Sequence, residues 1–214
     1  MSELILFTVI LLIVSIILHE VAHGYAAYAL GDPTAKNAGR LTLNPLPHID
    51  FVGSVLIPAF LVITSAGFLF GWAKPVPYNP LNLRNQRFGE AIVAIAGPAT
   101  NIFIALIFSL VIRFGAGLPD TFIALSALVV LINLFLGLFN LIPLPPLDGY
   151  TVLRSLLPYR FAMGFQNFER KIQSLGIISL FLFIFIFITV LSGPFFAIVQ
   201  SIFTLFTGAP LGVF

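Results

Sequence analysis

The sequence predicts an all-α membrane protein, a polytopic helical bundle of about five or six apolar segments, on three observations. Hydrophobic residues make up 59% of the 214 and charged residues only 8%, too few to solvate a soluble surface. The apolar residues are gathered into runs, several of them long enough to cross a hydrocarbon core about 30 Å thick. Gly-, Pro- and Asn-rich connections at 31–50, 71–90, 115–120 and 143–173 separate the runs and contain no soluble domain.

The first run, residues 4–30, has no charge from 4 to 18 and only two hydroxyls there, Thr8 and Ser15. It exceeds the apolar core of a signal peptide and lacks a basic start and a small-residue cleavage site, so it is expected to stay in the mature chain. Residues 38–47 and 72–80 are too rich in proline and polar side chains for helix. They read as short extended segments, with plain surface loops as the alternative. Between them, residues 51–70 carry Gly53, Pro58 and Gly67, which can bend the run so that it dips into the bilayer and returns on the same side. Residues 91–114, 122–142 and 177–191 read as further membrane segments. The tail at 195–206 follows Ser192-Gly193-Pro194 and is short of the roughly 20 residues a spanning helix needs. Its crossing stays open. The Phe-rich stretch 181–187 reads as lipid-facing bulk. With no internal repeat, the chain is expected to form one membrane domain, 1–214.

Lys and Arg favour cytoplasmic loops, which tests the dip. If 51–70 crosses, one side holds seven basic residues and the other Lys36, Arg40 and Arg113. If it dips, nine fall on one side and only Arg113 opposite. The re-entrant topology is preferred, with the end of the first segment near the cytoplasmic face. The same basic residues form no tract that would suit nucleic acid.

The first segment ends in His19-Glu20-Val21-Ala22-His23. Positions four apart share one helical face, so the two imidazoles can donate to a single ion with Glu20 beside them. Fifteen residues from Leu4 rise about 22 Å, which leaves His19 roughly 8 Å inside the membrane edge. Ionisable groups at that depth are costly and mark functional sites or paired networks. The chain has no cysteine, which excludes disulfides and thiolate ligands. Two His and one carboxylate leave the fourth zinc position to water, with Glu20 as general base. Asp148 is the third-ligand candidate. It lies in Asn140-Leu-Ile-Pro-Leu-Pro-Pro-Leu-Asp-Gly149, where three prolines prevent regular helix and Gly149 permits an unusual turn. Alone, this Asp-Gly would be an ordinary turn.

Three motifs together, His19-Glu-Val-Ala-His23, Gly97-Pro-Ala-Thr-Asn101 and Asn140 to Gly149, resemble the site-2 protease family of intramembrane zinc metalloproteases in a compact bacterial form. The resemblance covers about residues 10–155; the catalytic core is expected at about 1–155, with C-terminal membrane segments at 174–207. It implies one zinc ion held by His19, His23 and Asp148, with Glu20 as base. It further implies hydrolysis of peptide bonds within or near transmembrane helices, the substrates being single-span membrane proteins or remnant signal peptides in a bacterial-type cell membrane. Asn101 and Asn140 match polar residues near the metal that can steady an oxyanion or substrate backbone; each can instead be a helix-packing amide. The connections hold no PDZ-type or regulatory domain, and Gly149-Tyr150 stands where the family often has Gly-Arg. An extended edge at 38–47 or 72–80 would suit an unwound substrate. His48 and Asp50 offer a regulatory metal contact or local hydrogen bonding. The rival readings are a metal-ion transporter, which would be expected to show structural repeats, and a catalytically idle homologue that binds membrane helices.

Overall fold

The computed structural model describes residues 2–63 and 71–213. It resolves into two compact units, Met1–Gly89 and Glu90–Phe214. Among the described residues, four helices are long and apolar enough to cross a membrane: Glu3–Ala29, Gly89–Phe114, Asp120–Asn140 and Ile178–Thr207. The chain is thus an all-α, multi-pass membrane protein, with four candidate spans among the described residues where five or six segments were expected.

In the first unit, α1 (Ser2–Ala29) carries the apolar run and its polar end. Gly31, at φ 104°, turns the chain into Asp32 and α2 (Thr34–Asn37). Residues 38–47 are not the extended segment expected, and no strand occurs among the described residues. Side chains take over the local amides: Asn44 N–H donates to Thr42 Oγ1 and Leu46 N–H to Asn44 Oδ1, both at 3.1 Å. Such bonds favour turns over a ladder, and a 3-10 turn follows at Leu46–His48.

Asp50 Oδ1 accepts from Gly53 N–H at 2.7 Å and opens a π-helical turn, Phe51–Leu56, that runs into α3 (Ile57–Ile63). The rest of the expected re-entrant segment lies outside the described residues. Its two ends meet: Trp72 N–H donates to Gly53 O at 3.2 Å, and Ser54 Oγ donates to Trp72 O at 2.8 Å. A Cβ on Gly53 would fall on the Trp72 indole, so only glycine admits this approach. Residues 71–79 are neither helix nor ladder, because Pro75 and Pro77 cannot donate and neighbouring amides are bonded elsewhere.

Asp32 organises this unit. It is fully buried and accepts from Thr34 N–H at 3.2 Å, Thr34 Oγ1 at 2.6 Å, Asn79 N–H at 2.6 Å and Asn82 Nδ2 at 2.8 Å. Burial alone would raise its pKa, but these hydrogen bonds prevail and hold the carboxyl below the usual carboxylate range. A depressed folded pKa stabilises the protein above the unfolded value, and that contribution is lost as pH falls through the folded pKa. Asp32→Asn is expected to destabilise by about 2 kcal/mol at neutral pH. The melting difference from wild type should narrow on acidification; a constant difference would refute the assignment.

In the second unit, α4 (Gly89–Phe114) packs on α5 (Asp120–Asn140) where α5 has no side chain. A Cβ on Gly137 would lie 3.0 Å from Pro98 O. The core of the unit gathers Ala105, Val130, Leu134, Phe195, Val199 and Phe203. Beyond the loop that follows Asn140 come α6 (Asp148–Leu156), α7 (Tyr159–Ser174), α8 (Ile177–Ile186) and α9 (Ser192–Thr207). The expected segments 177–191 and 195–206 are one continuous helix. Ser192-Gly193-Pro194 does not interrupt it because the π-helical turn Phe187–Leu191 adjusts the backbone just before. Thr189 and Ser192 hydroxyls also donate to Phe185 O and Ile188 O, at 2.7 and 2.8 Å. The Phe-rich stretch is only half lipid-facing. Phe181 and Phe185 are exposed, while Phe183 is buried and, with Phe187, packs edge-on against Phe139.

Residues 143–173, expected as a connection, contain α6 and α7. One basic residue holds them: Arg154 donates to Glu90 at 2.6 Å and to Glu169 at 2.8 Å, and its side chain is 13% exposed. Arg154→Ala would leave two carboxylates without their shared counter-charge, and is expected to cost about 2–3 kcal/mol. Thermal unfolding in detergent measures it, and a shift within error would refute the structural role.

Candidate metal and catalytic site

The helix α1 delivers the polar cluster as its register requires. His19 is buried and His23 half-buried one turn later. Their Nε2 atoms lie 3.0 Å apart, with the rings nearly perpendicular. Two imidazole nitrogens that converge from consecutive turns can donate to one cation. Glu20, half-buried, sits beside them, and its Oε2 accepts from Val76 N–H at 2.8 Å.

Asp148 is presented by a loop folded tightly on itself. Leu144 N–H donates to Ile142 O at 2.8 Å, Leu147 N–H to Leu144 O at 2.9 Å, and Tyr150 N–H to Leu147 O at 3.1 Å. The Pro145-Pro146 bond is cis. Asp148 is the first residue of α6, where a carboxylate meets the positive end of the helix. Together with His19 and His23 it makes a His/His/Asp group able to coordinate a metal ion. The donor set fits zinc: two neutral nitrogens, one carboxylate oxygen and no thiolate.

The remaining expected residues have hydrogen-bond partners of their own. Asn101 is fully buried in α4 and its Nδ2 donates to Asn133 Oδ1 at 2.9 Å, while Asn133 Nδ2 donates to Val129 O at 3.0 Å. Sequence reasoning misses Asn133 because a lone Asn in an apolar run carries no motif; its spacing of seven from Asn140 is the available signal. Asn140 Nδ2 donates to Leu136 O at 2.9 Å. His48 is buried with Nε2 2.9 Å from Thr42 O, and Asp50 caps the turn described above. Both have local roles.

The sequence profile of peptidase family M50 matches residues 118–183, which include Asn140 and Asp148. Over 164 residues the chain is 45% identical to YwhC of Bacillus subtilis (strain 168), which carries a provisional zinc metalloprotease name, covering 71% of this chain and 69% of that one. The chain belongs to peptidase family M50. It is also 32% identical to Rip2 of Mycolicibacterium smegmatis, another provisional zinc metalloprotease, over 68% of this chain and 55% of that one. Zinc metalloprotease MJ0392 of Methanocaldococcus jannaschii is 28% identical over 71% of this chain and 34% of its own length. Apart from YwhC, these M50 relatives extend well beyond the matched region. No solved structure matches the chain.

Proposed function

We propose that this chain is an intramembrane zinc metalloprotease that hydrolyses peptide bonds within or near the transmembrane helices of membrane proteins. The observation that carries the reading is the pair of His19 and His23 ring nitrogens, 3.0 Å apart, with Glu20 beside them on a helix long and apolar enough to span a membrane. M50 membership supports it. His19, His23 and Asp148 would hold one zinc ion.

When bound, zinc supplies Lewis acidity to the attacking water and to the scissile carbonyl. Glu20 takes the proton of that water and returns it to the departing amine nitrogen, so one water is consumed and both new termini are made. The half-buried surroundings of Glu20 and His23 restrict bulk water. The amide of Asn101 also holds α4 on α5 through Asn133, and Asn101 and Asn140 are the candidates to steady the oxyanion or the substrate backbone. Substrates are single-span membrane proteins or remnant signal peptides in a bacterial-type cell membrane, unwound before cleavage. The nine-to-one basic asymmetry and the meeting ends of the 51–72 segment favour a site near the cytoplasmic face.

The test is cleavage of single-span model substrates by purified protein in detergent, as prepared, after chelation and after zinc is restored, with bound metal quantified. Cleavage lost with the metal and recovered with zinc is expected. A protein that binds zinc, cleaves nothing and carries the ion across liposomes would establish the transporter reading instead.

A further inference from the structure

Residues 74–80 read Lys-Pro-Val-Pro-Tyr-Asn-Pro, so the prolines leave Val76 as the one amide donor between Lys74 and Tyr78. The segment is pinned on both sides of that donor. Lys74 N–H donates to His48 O at 2.9 Å and Lys74 O accepts from Arg40 Nη2 at 2.6 Å. Asn79 N–H donates to the buried Asp32 at 2.6 Å. Between these anchors Val76 N–H meets Glu20 Oε2 at 2.8 Å. The Val76 side chain is buried against α1 at Gly24, one turn beyond Glu20. A Cβ there would lie 3.0 Å from Val76 Cγ1, so the missing side chain lets the segment approach closely enough for the bond.

A glutamate has three rotatable side-chain bonds and loses rate when it samples unproductive orientations, which is why a general base is generally held by a third group. From this geometry we propose that the Val76 peptide N–H is the positioning group for the catalytic base: it fixes Oε2 of Glu20 and leaves Oε1 to receive the proton of water. The inference rests on the metalloprotease reading and deepens it. The prolines serve this role twice. They favour an extended segment, since helical backbone is disfavoured for a residue before proline, and they present no competing N–H. The bond is charge-assisted, and its loss frees the carboxylate without removing it.

Two variants test the positioning role. Val76→Pro keeps an extended backbone between prolines and deletes the donor. Replacement of Val76 by its α-hydroxy acid through nonsense suppression keeps the side chain and turns the amide into an ester. Both are expected to lower kcat about 10- to 100-fold with KM and bound zinc unchanged. The second readout needs no activity: the carboxylate infrared band that disappears in Glu20→Gln should move in the ester variant. An unchanged kcat in the ester variant beside an active wild type, or an unmoved band, overturns the proposal. A wild type that cleaves no substrate sinks the protease reading, and the catalytic role of the Val76 amide falls with it even if the band moves.

Discussion

Glu20→Gln is expected to lower peptide-bond hydrolysis by about 10²- to 10⁴-fold, the range general acid–base groups contribute, while zinc content and melting temperature stay at wild-type values. The substitution separates chemistry from structure cleanly. Glutamine keeps an oxygen that can accept from Val76 N–H, the bond seen at 2.8 Å, so the packing of residues 71–79 on α1 survives. Its amide cannot take up the proton of water. Glu20 is not among the three residues assigned as ligands, so the metal should remain bound. Single-turnover cleavage with metal analysis on the same sample makes the comparison. Zinc lost with activity would make Glu20 a ligand, and undiminished activity would place the base elsewhere.

Gly149→Ala is expected to be the most damaging single-methyl change in the second unit. A Cβ at this position falls on the carbonyl of Leu141 and lies 2.8 Å from Ile142 O. Both are backbone atoms with no rotamer to yield. The loop that carries Asp148 must therefore shift, at a cost of about 3 kcal/mol, in the upper range for overpacking. Because Asp148 is the adjacent residue, zinc affinity should fall together with thermal stability. Gly164 provides the control, since a Cβ there meets nothing within 4 Å; Gly164→Ala should leave both measurements unchanged. Equal behaviour of the two variants would show that the close approach at Gly149 does not govern the loop.

The spans that are apolar along their whole length are legible in the sequence, because a bilayer imposes length and hydrophobicity together. Residues 91–114 and 122–142 correspond to α4 and α5 within two residues at either end. α6 and α7 are not legible as helices. Arg154, Glu169 and Lys171 make them polar, and a search for apolar runs passes over helices held by ion pairs and buried aromatic rings. The break expected at Ser192-Gly193-Pro194 fails for a related reason: local breaking tendency is visible in the residues, but the π-helical turn and hydroxyl bonds that absorb it are not. The extended reading of 38–47 fails because Thr42 and Asn44 satisfy nearby amides themselves.

What the sequence determined by itself is what depends on fixed spacing. A helix places residues four apart on one face, so His19 and His23 were bound to converge with Glu20 beside them. Tertiary structure alone decided which partner each polar group found. Asn101 turned to Asn133, Asp32 gathered Asn79 and Asn82, and Glu20 accepted from Val76, 56 residues away. The physical reason is that helical register is local geometry, whereas a buried donor or acceptor must be satisfied by whatever the folded chain brings within about 3 Å, and no spacing rule encodes that choice.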